Sequence, residues 1–223
     1  MLDFSAAKSI SIPEGNVVKI HAGDTLIWQQ KQEESYTELD YIIVNKAYFN
    51  TGVIPSADKW TYEARIYPTS WGSNHYYYFA VRQTKDYSTM YAPIHIRSGT
   101  RMYLSGTQTA SGGGAKNTWY TVKSEIQDGL QNMWVDDVLK VTDALAIPTT
   151  YTRPLFLFAA NFHGGRYGNY EGRISWLKIH HGDTLVRDFV AAKRDSDGVC
   201  GLLDRVENKF YTNAETTGTV TGV

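Results

Sequence analysis

A two-residue rhythm of apolar and polar positions most limits what this chain can fold into. In WTYEARIY, Trp60, Tyr62, Ala64 and Ile66 share one face, while Thr61, Glu63, Arg65 and Tyr67 share the other. That is a strand with one buried side. Glu63 and Arg65, two residues apart on the outer face, are expected to form an ion pair. Further strand runs cover 76–83, 93–96, 101–105, 118–126, 131–135, 138–142, 173–180 and 185–191. LFLFAA, 155–160, is apolar on both faces and is expected to be one central strand covered on both sides. Turn signals fall between the runs at Gly72, Ser98-Gly99, Gly112 to Gly114, Gly164-Gly165 and Asp197-Gly198. No window of a dozen residues places apolar side chains at helical spacing, and one short helical turn is expected at 56–59. Many short strands punctuated by glycine make a sandwich or a barrel.

One phrase occurs twice: IHAGDTLIW from Ile20 and IHHGDTLVR from Ile179. In both, Gly-Asp separates two β-favouring runs. Glycine first in a two-residue loop suits a tight hairpin turn, because it accepts positive φ without steric cost. The repeat is therefore one turn used twice. His180 and His181 are consecutive in a strand and leave it on opposite faces. They are not expected to share a metal ion, and no metal site is assigned.

With 223 residues and a formal net charge of −1, the chain can bury a large core and offers no electrostatic case for nucleic acid or an anionic membrane. No apolar run approaches the ~20 residues that span a bilayer. MLDFSAAKSISIPEG lacks the basic-then-apolar order of a secretory signal. Cys200 is the single cysteine, so assembly in a cytoplasm without disulfides is expected, with Cys200 a small buried hydrophobe. The polar stretch QQKQEESYT reads as a linker. It divides the chain into a small N-terminal β element for docking or assembly (1–28), a linker (29–36) and one β domain (37–223).

The segment YIIVNKAYFNTGVIPSADKWTYEARI resembles the opening of concanavalin A-like, laminin G-like jelly rolls. TWYTVKSEIQDGLQNMWVDDVLKVT resembles their central hairpin pair, with Asp136-Asp137 at the turn where Asp-Gly is usual. The stretch from PLFLFAANFHGG through EGRISWLKIHHGDTLVRDFVAAKRDSDGVCGLLDRVENKFYTNAETTGTVTG is similar to a C-terminal segment common in bacteriophage and gut-bacterial proteins. KSISIPEGNVVKIHAGDTLIW resembles a short β element that precedes such modules in phage structural proteins. The resemblance implies an all-β fold: a two-sheet antiparallel jelly-roll sandwich with a small N-terminal β element. It also implies a phage virion protein, made in the host cytoplasm and assembled as a homo-oligomer, a trimer, with other virion proteins.

This scaffold hosts lectins, glycosidases, adhesion modules and inert spacers alike, so residues must decide among them. Its glucanases carry Glu-x-Asp-x-x-Glu, or a one-residue-shorter form, on a strand. This chain has Glu38-Leu39-Asp40 with no third carboxylate, and no catalytic residue is assigned. Asp195-Ser196-Asp197-Gly198 is the densest oxygen cluster; it lacks the later ligands of a calcium loop and reads as a solvated turn, so calcium is the single cofactor weighed and none is assigned. Ser111 to Lys116 lacks phosphate-loop spacing and reads as a hairpin tip. Sugar recognition needs flat aromatic faces beside planar polar groups. The chain holds 16 Tyr, 8 Phe and 6 Trp, and two loops combine rings with such groups. One carries Trp71, Asn74, His75, Tyr76 and Arg82; the other carries Asn161, His163, Arg166, Tyr167 and Tyr170. The expected function is non-catalytic recognition of a cell-surface glycan by a tail-fibre or receptor-binding module. The alternatives are a structural capsid or tail decoration protein, a bacterial cell-surface adhesion domain and, least favoured, a glycosidase.

Overall fold

The computed structural model turns this alternation into sheet. It describes residues 9–11, 19–22, 25–29, 34–56, 58–69, 76–82, 90–97, 101–104, 107–108, 115–144, 151–168 and 171–223, and the side chains of 34–56, 58–69, 115–142, 144, 151–168 and 171–223. The chain divides into two compact units, Met1–Ser35 and Tyr36–Val223. In the first, β1 (Ser9–Ser11), β2 (Lys19–Ala22) and β3 (Thr25–Gln29) form an antiparallel sheet in that order. Ala22 faces Thr25; Gly23 and Asp24, where the repeated phrase places a turn, lie outside the described residues.

The second unit contains β4 (Tyr36–Glu38), β5 (Ile42–Asn45), β6 (Phe49–Asn50), β7 (Trp60–Pro68), β8 (Tyr76–Arg82), β9 (Met90–Arg97), β10 (Arg101–Leu104), β11 (Thr107–Gln108), β12 (Tyr120–Gln127), β13 (Leu130–Val135), β14 (Val138–Ala144), β15 (Phe156–Leu157), β16 (Ala160–Phe162), β17 (Gly165–Tyr167), β18 (Glu171–His181), β19 (Thr184–Arg194), β20 (Cys200–Asp204), β21 (Lys209–Tyr211) and β22 (Thr219–Gly222). The larger sheet runs β14-β13-β12-β7-β18-β19-β20-β21, with β5 and β4 laid along β18 and β19, and β22 on β5. The smaller sheet runs β11-β10-β9-β8-β15-β6, with the β16–β17 hairpin joined to β8. Tyr36, at the end of the expected linker, already belongs to β4, which pairs with Ala192 to Arg194 of β19.

The inward side chains of the larger sheet are those the alternation selects: Tyr62, Ala64 and Ile66 on β7, Val122 and Ile126 on β12, and Ile174, Leu177 and Ile179 on β18. They meet Phe49, Leu157 and Phe158 in one continuous core. Full burial of such aliphatic and aromatic side chains contributes about 1.5–3 kcal/mol each. Ser124 and Gln131 are buried among them as a pair, Gln131 Nε2 donating to Ser124 Oγ at 2.9 Å.

Three expectations need correction. LFLFAA is buried throughout but is not one strand. Phe158 takes φ +65°, and the chain reverses there, so β15 runs antiparallel and β16 parallel to β8. Composition signalled the burial, while the reversal left no glycine to betray it. The expected helical turn at 56–59 is irregular at its described positions, 56, 58 and 59; Ala57 lies outside the described residues. Cys200 packs against the core yet is only partly buried.

Turn chemistry follows the sequence closely. Gly182, φ +59°, begins a two-residue turn that sets His181 opposite Thr184. Asp136 and Asp137 both take positive φ, 47° and 62°, the geometry of a turn that prefers glycine second. Asp137→Gly is therefore expected to stabilise the protein by about 0.5 kcal/mol, read as a higher urea midpoint at unchanged m-value.

Candidate functional site

Alternation that buries one side chain exposes the next, and the outer face of the larger sheet collects an unusual set. Tyr120 points inward. Its hydroxyl accepts from Ala115 N at 2.5 Å and donates to Ala115 O at 3.2 Å, while Asn117 N–H bonds Pro68 O at 2.8 Å. These bonds fix the approach to β12, and the preceding residue, Trp119, faces outward. Its indole meets Tyr41 edge-on at 5.5 Å and Tyr67 at 5.3 Å. The Arg173 guanidinium lies 4.9 Å from the Tyr41 ring and 4.5 Å from the Tyr67 ring and donates to the Tyr41 hydroxyl at 3.1 Å. Each such cation–ring contact is worth about 0.5–1 kcal/mol at an exposed site, and together they fix the two phenol rings against Trp119.

Arg65 completes the cluster. It is 5.8 Å from the Trp119 ring, donates to Thr121 Oγ1 at 3.2 Å and pairs with Asp136 at 3.8 Å. The expected Glu63–Arg65 pair does not form. Glu63 instead faces Lys123 on β12 and Lys178 on β18; cross-strand neighbours at one level lie closer than alternate residues along one strand. Asp40, Tyr41, Arg65, Trp119 and Ser175 line a shallow cleft of about 360 Å³.

A bulge in β18 extends this cleft. Ile174 faces Ile66 and Trp176 faces Arg65 on adjacent β7 residues, leaving Ser175 as the extra residue. The insertion shifts the alternation by one: Ile174 stays inside, Trp176 comes out beside Arg65, and Leu177 returns to the core. The same point is a fork, since β5 pairs with β18 up to Ile174 and β19 takes over at Trp176. The fork opens a second cleft of about 320 Å³, lined by Glu38, Leu39, Asp40, Ser175, Trp176, Lys178, Asp188, Val190 and Arg205. Arg205 binds both Glu38 oxygens at 2.5–2.6 Å and lies 3.9 Å from Asp188 Oδ2; the Glu38 contact holds its guanidinium more firmly protonated than usual. Asp188 lines this cleft; its Oδ1 is buried with no hydrogen-bond partner among the described residues, a costly state for an acceptor.

Sequence reasoning placed the site on two loops. Trp71, Asn74, His75 and Tyr170 lie outside the described residues, and Tyr76 and Arg82 are described as backbone of β8 alone. The other four lie on the β16–β17 hairpin, whose turn is His163-Gly164. Asn161 is 1% exposed; its amide donates to Pro154 O and accepts from Gly164 N. Arg166 donates to Lys46 O at 2.6 Å and pairs with Glu215 at 3.2 Å. Asn161 and Arg166 thus anchor the hairpin, and His163 and Tyr167 are its exposed members. The carboxylates of the 195–198 turn are engaged: Thr37 donates to Asp195, and Arg194 holds Asp197 below the usual carboxylate range. The two adjacent histidines diverge. His181 stacks on Trp60 at 4.5 Å and reaches Asp58 at 3.3 Å, whereas His180 faces Thr61. Among the described residues no three His, Cys, Asp or Glu side chains converge.

The two adjoining clefts were missed. Their one signal in the sequence is the slip of phase in GRISWLKI, where buried Ile174 and Leu177 stand three apart inside a two-residue pattern.

No protein-family model and no curated protein matches the chain. Solved structures do. A Bacteroides ovatus protein to which carbohydrate binding is provisionally ascribed superposes with a TM-score of 0.52 at 13% identity, over 93% of this chain and 68% of that one. Domains LG4-5 of the mouse laminin α1 chain give 0.46 at 13% identity, over 76% and 50%. A Caenorhabditis elegans galectin gives 0.35 at 13% identity, over 68% and 93%. The fold of this chain is a two-sheet antiparallel β-sandwich of the jelly-roll type.

Proposed function

We propose that this domain is a non-catalytic carbohydrate-recognition module, and that its binding surface includes the paired clefts on the outer face of the larger sheet. One observation carries the reading: Trp119 and Trp176 flank Arg65 on one exposed face, next to the Asp188 carboxylate that lines the second cleft. Indole faces suit the apolar side of a pyranose, and carboxylates and guanidinium groups suit its hydroxyls. The carbohydrate binding ascribed to the Bacteroides ovatus protein, which shares the fold, is consistent with it. The exposed His163 and Tyr167 of the hairpin are a second candidate contact region.

Binding without cleavage is favoured by how two of the cleft carboxylates, Glu38 and Asp188, are held. Glu38 is chelated by Arg205, which also approaches Asp188; the arrangement suits acceptors for hydroxyls rather than an acid that must deliver a proton to a leaving group. In the wider reading the module belongs to a phage virion, in a tail fibre or receptor-binding protein, where repetition in an oligomer multiplies weak single-site affinity. The sequence resemblance supports that setting.

A glycan array probed with multivalent protein tests the reading, and a blank array at high valency overturns it. Asp188→Ala separates ligand contact from scaffold. Removing a carboxylate with an unsatisfied oxygen is expected to leave stability within about 1 kcal/mol while weakening glycan binding about tenfold or more. Lost stability with unchanged binding would make Asp188 a structural residue instead.

A further inference from the structure

The two clefts adjoin. They share Asp40 and Ser175 as lining residues, and Trp176 of the second stands directly opposite Arg65 of the first in the β18–β7 register. The combined groove runs across the strands rather than along them. From Arg65 on β7 it passes β18 and β19 to Arg205 beyond β20, three strand spacings or roughly 14 Å. A single pyranose covers about one indole face, and this groove carries an indole in each cleft.

We infer that the groove binds an internal stretch of a linear polysaccharide, at least two consecutive sugar units, rather than a terminal sugar. The inference rests on the carbohydrate-recognition reading above and adds ligand length and direction to it. Three features support it. A pocket for a chain end is closed on one side, whereas the first cleft is shallow and adjoins the second at the shared Asp40 and Ser175. The chemistry also differs between the halves. Trp119 stands with Tyr41 and Arg65 in the first, an aromatic wall with one cation. Trp176 stands with Lys178, Asp188 and Arg205 in the second, a ring among charged groups that suits hydroxyls. Finally, the Ser175 bulge brings Trp176 to the outer face; a regular β18 would turn that indole to the core and leave the first cleft alone.

The test is calorimetric titration of the full chain with length series, one to six units, of malto-, cello-, manno- and galacturono-oligosaccharides. In a series that binds, affinity is expected to rise about tenfold or more between one and three units and then level off. Trp119→Ala and Trp176→Ala are each expected to remove most of that gain, so that long ligands bind about as weakly as short ones, while Trp→Phe at either position restores part of it. Thermal melts of both alanine variants confirm folding. A series that binds equally well at one unit and at six overturns the inference and leaves the recognition reading intact, as does a length gain insensitive to both tryptophans. Absence of binding in every series together with a blank glycan array overturns both.

Discussion

Arg187→Ala is expected to cost the protein about 3–5 kcal/mol, because it strands a buried carboxylate. Asp204 is fully buried. Its Oδ1 accepts from the backbone N–H groups of Asp188 and Val206, each at 3.0 Å, but Oδ2 has Arg187 Nε at 3.4 Å as its counter-charge. The same guanidinium reaches Glu207 at 2.7 Å, and Glu207 accepts from the Tyr211 hydroxyl at 3.0 Å. Burial, reinforced by that bond, pushes the Tyr211 hydroxyl up to about 12, so it remains a donor across the working pH range. Urea denaturation reads the loss as a lower midpoint at unchanged slope. The double variant Arg187→Ala, Asp204→Asn keeps the Oδ1 acceptor and removes the stranded charge, so it should recover about half of the deficit or more. An Arg187→Ala protein as stable as the parent would mean that the charge is compensated elsewhere.

Gly201→Ala should be nearly as damaging, for a steric reason. A methyl group there would sit 2.3 Å from the Tyr211 carbonyl oxygen and 2.9 Å from Phe210 Cζ. Neither can yield easily. The carbonyl belongs to β21, and the Phe210 ring is stacked on Tyr36 at 5.0 Å. The strand must move away from β20, at an expected cost of about 3 kcal/mol. For a domain of this size that corresponds to a fall in Tm of roughly 6–12 °C. An unchanged melting curve would show that β21 is held less tightly than its pairing implies.

The scaffold was far more legible in the sequence than the site, and particular residues show why. WTYEARIY states the burial of Trp60, Tyr62, Ala64 and Ile66 outright, because side-chain direction in a strand depends on nearest neighbours in sequence. Gly182-Asp183 and Asp136-Asp137 announce their turns for the same reason. The outer groove follows no such local rule. Tyr41, Arg65, Trp119 and Arg173 come from widely separated segments and meet through strand order, which periodicity does not encode. Arg65 illustrates the failure: proximity along the chain suggested Glu63 as its partner, while sheet register supplied Trp119, Thr121 and Asp136. Phe158 fails differently. Nothing about its side chain advertises a positive φ, which a bulky residue adopts only when the surrounding packing imposes it.

The bulge at Ser175 has a consequence for how such proteins diversify. Because one extra residue rephases β18 and the core side resumes its order at once, the exterior of the sheet is decoupled from the interior. Substitutions at outward positions are nearly neutral for stability, usually within ±0.5 kcal/mol. A lineage could therefore exchange Trp176 or Lys178 one at a time while Leu177 and Ile179 stay fixed. Descendants would keep the same architecture long after most of their outer-face sequence had diverged.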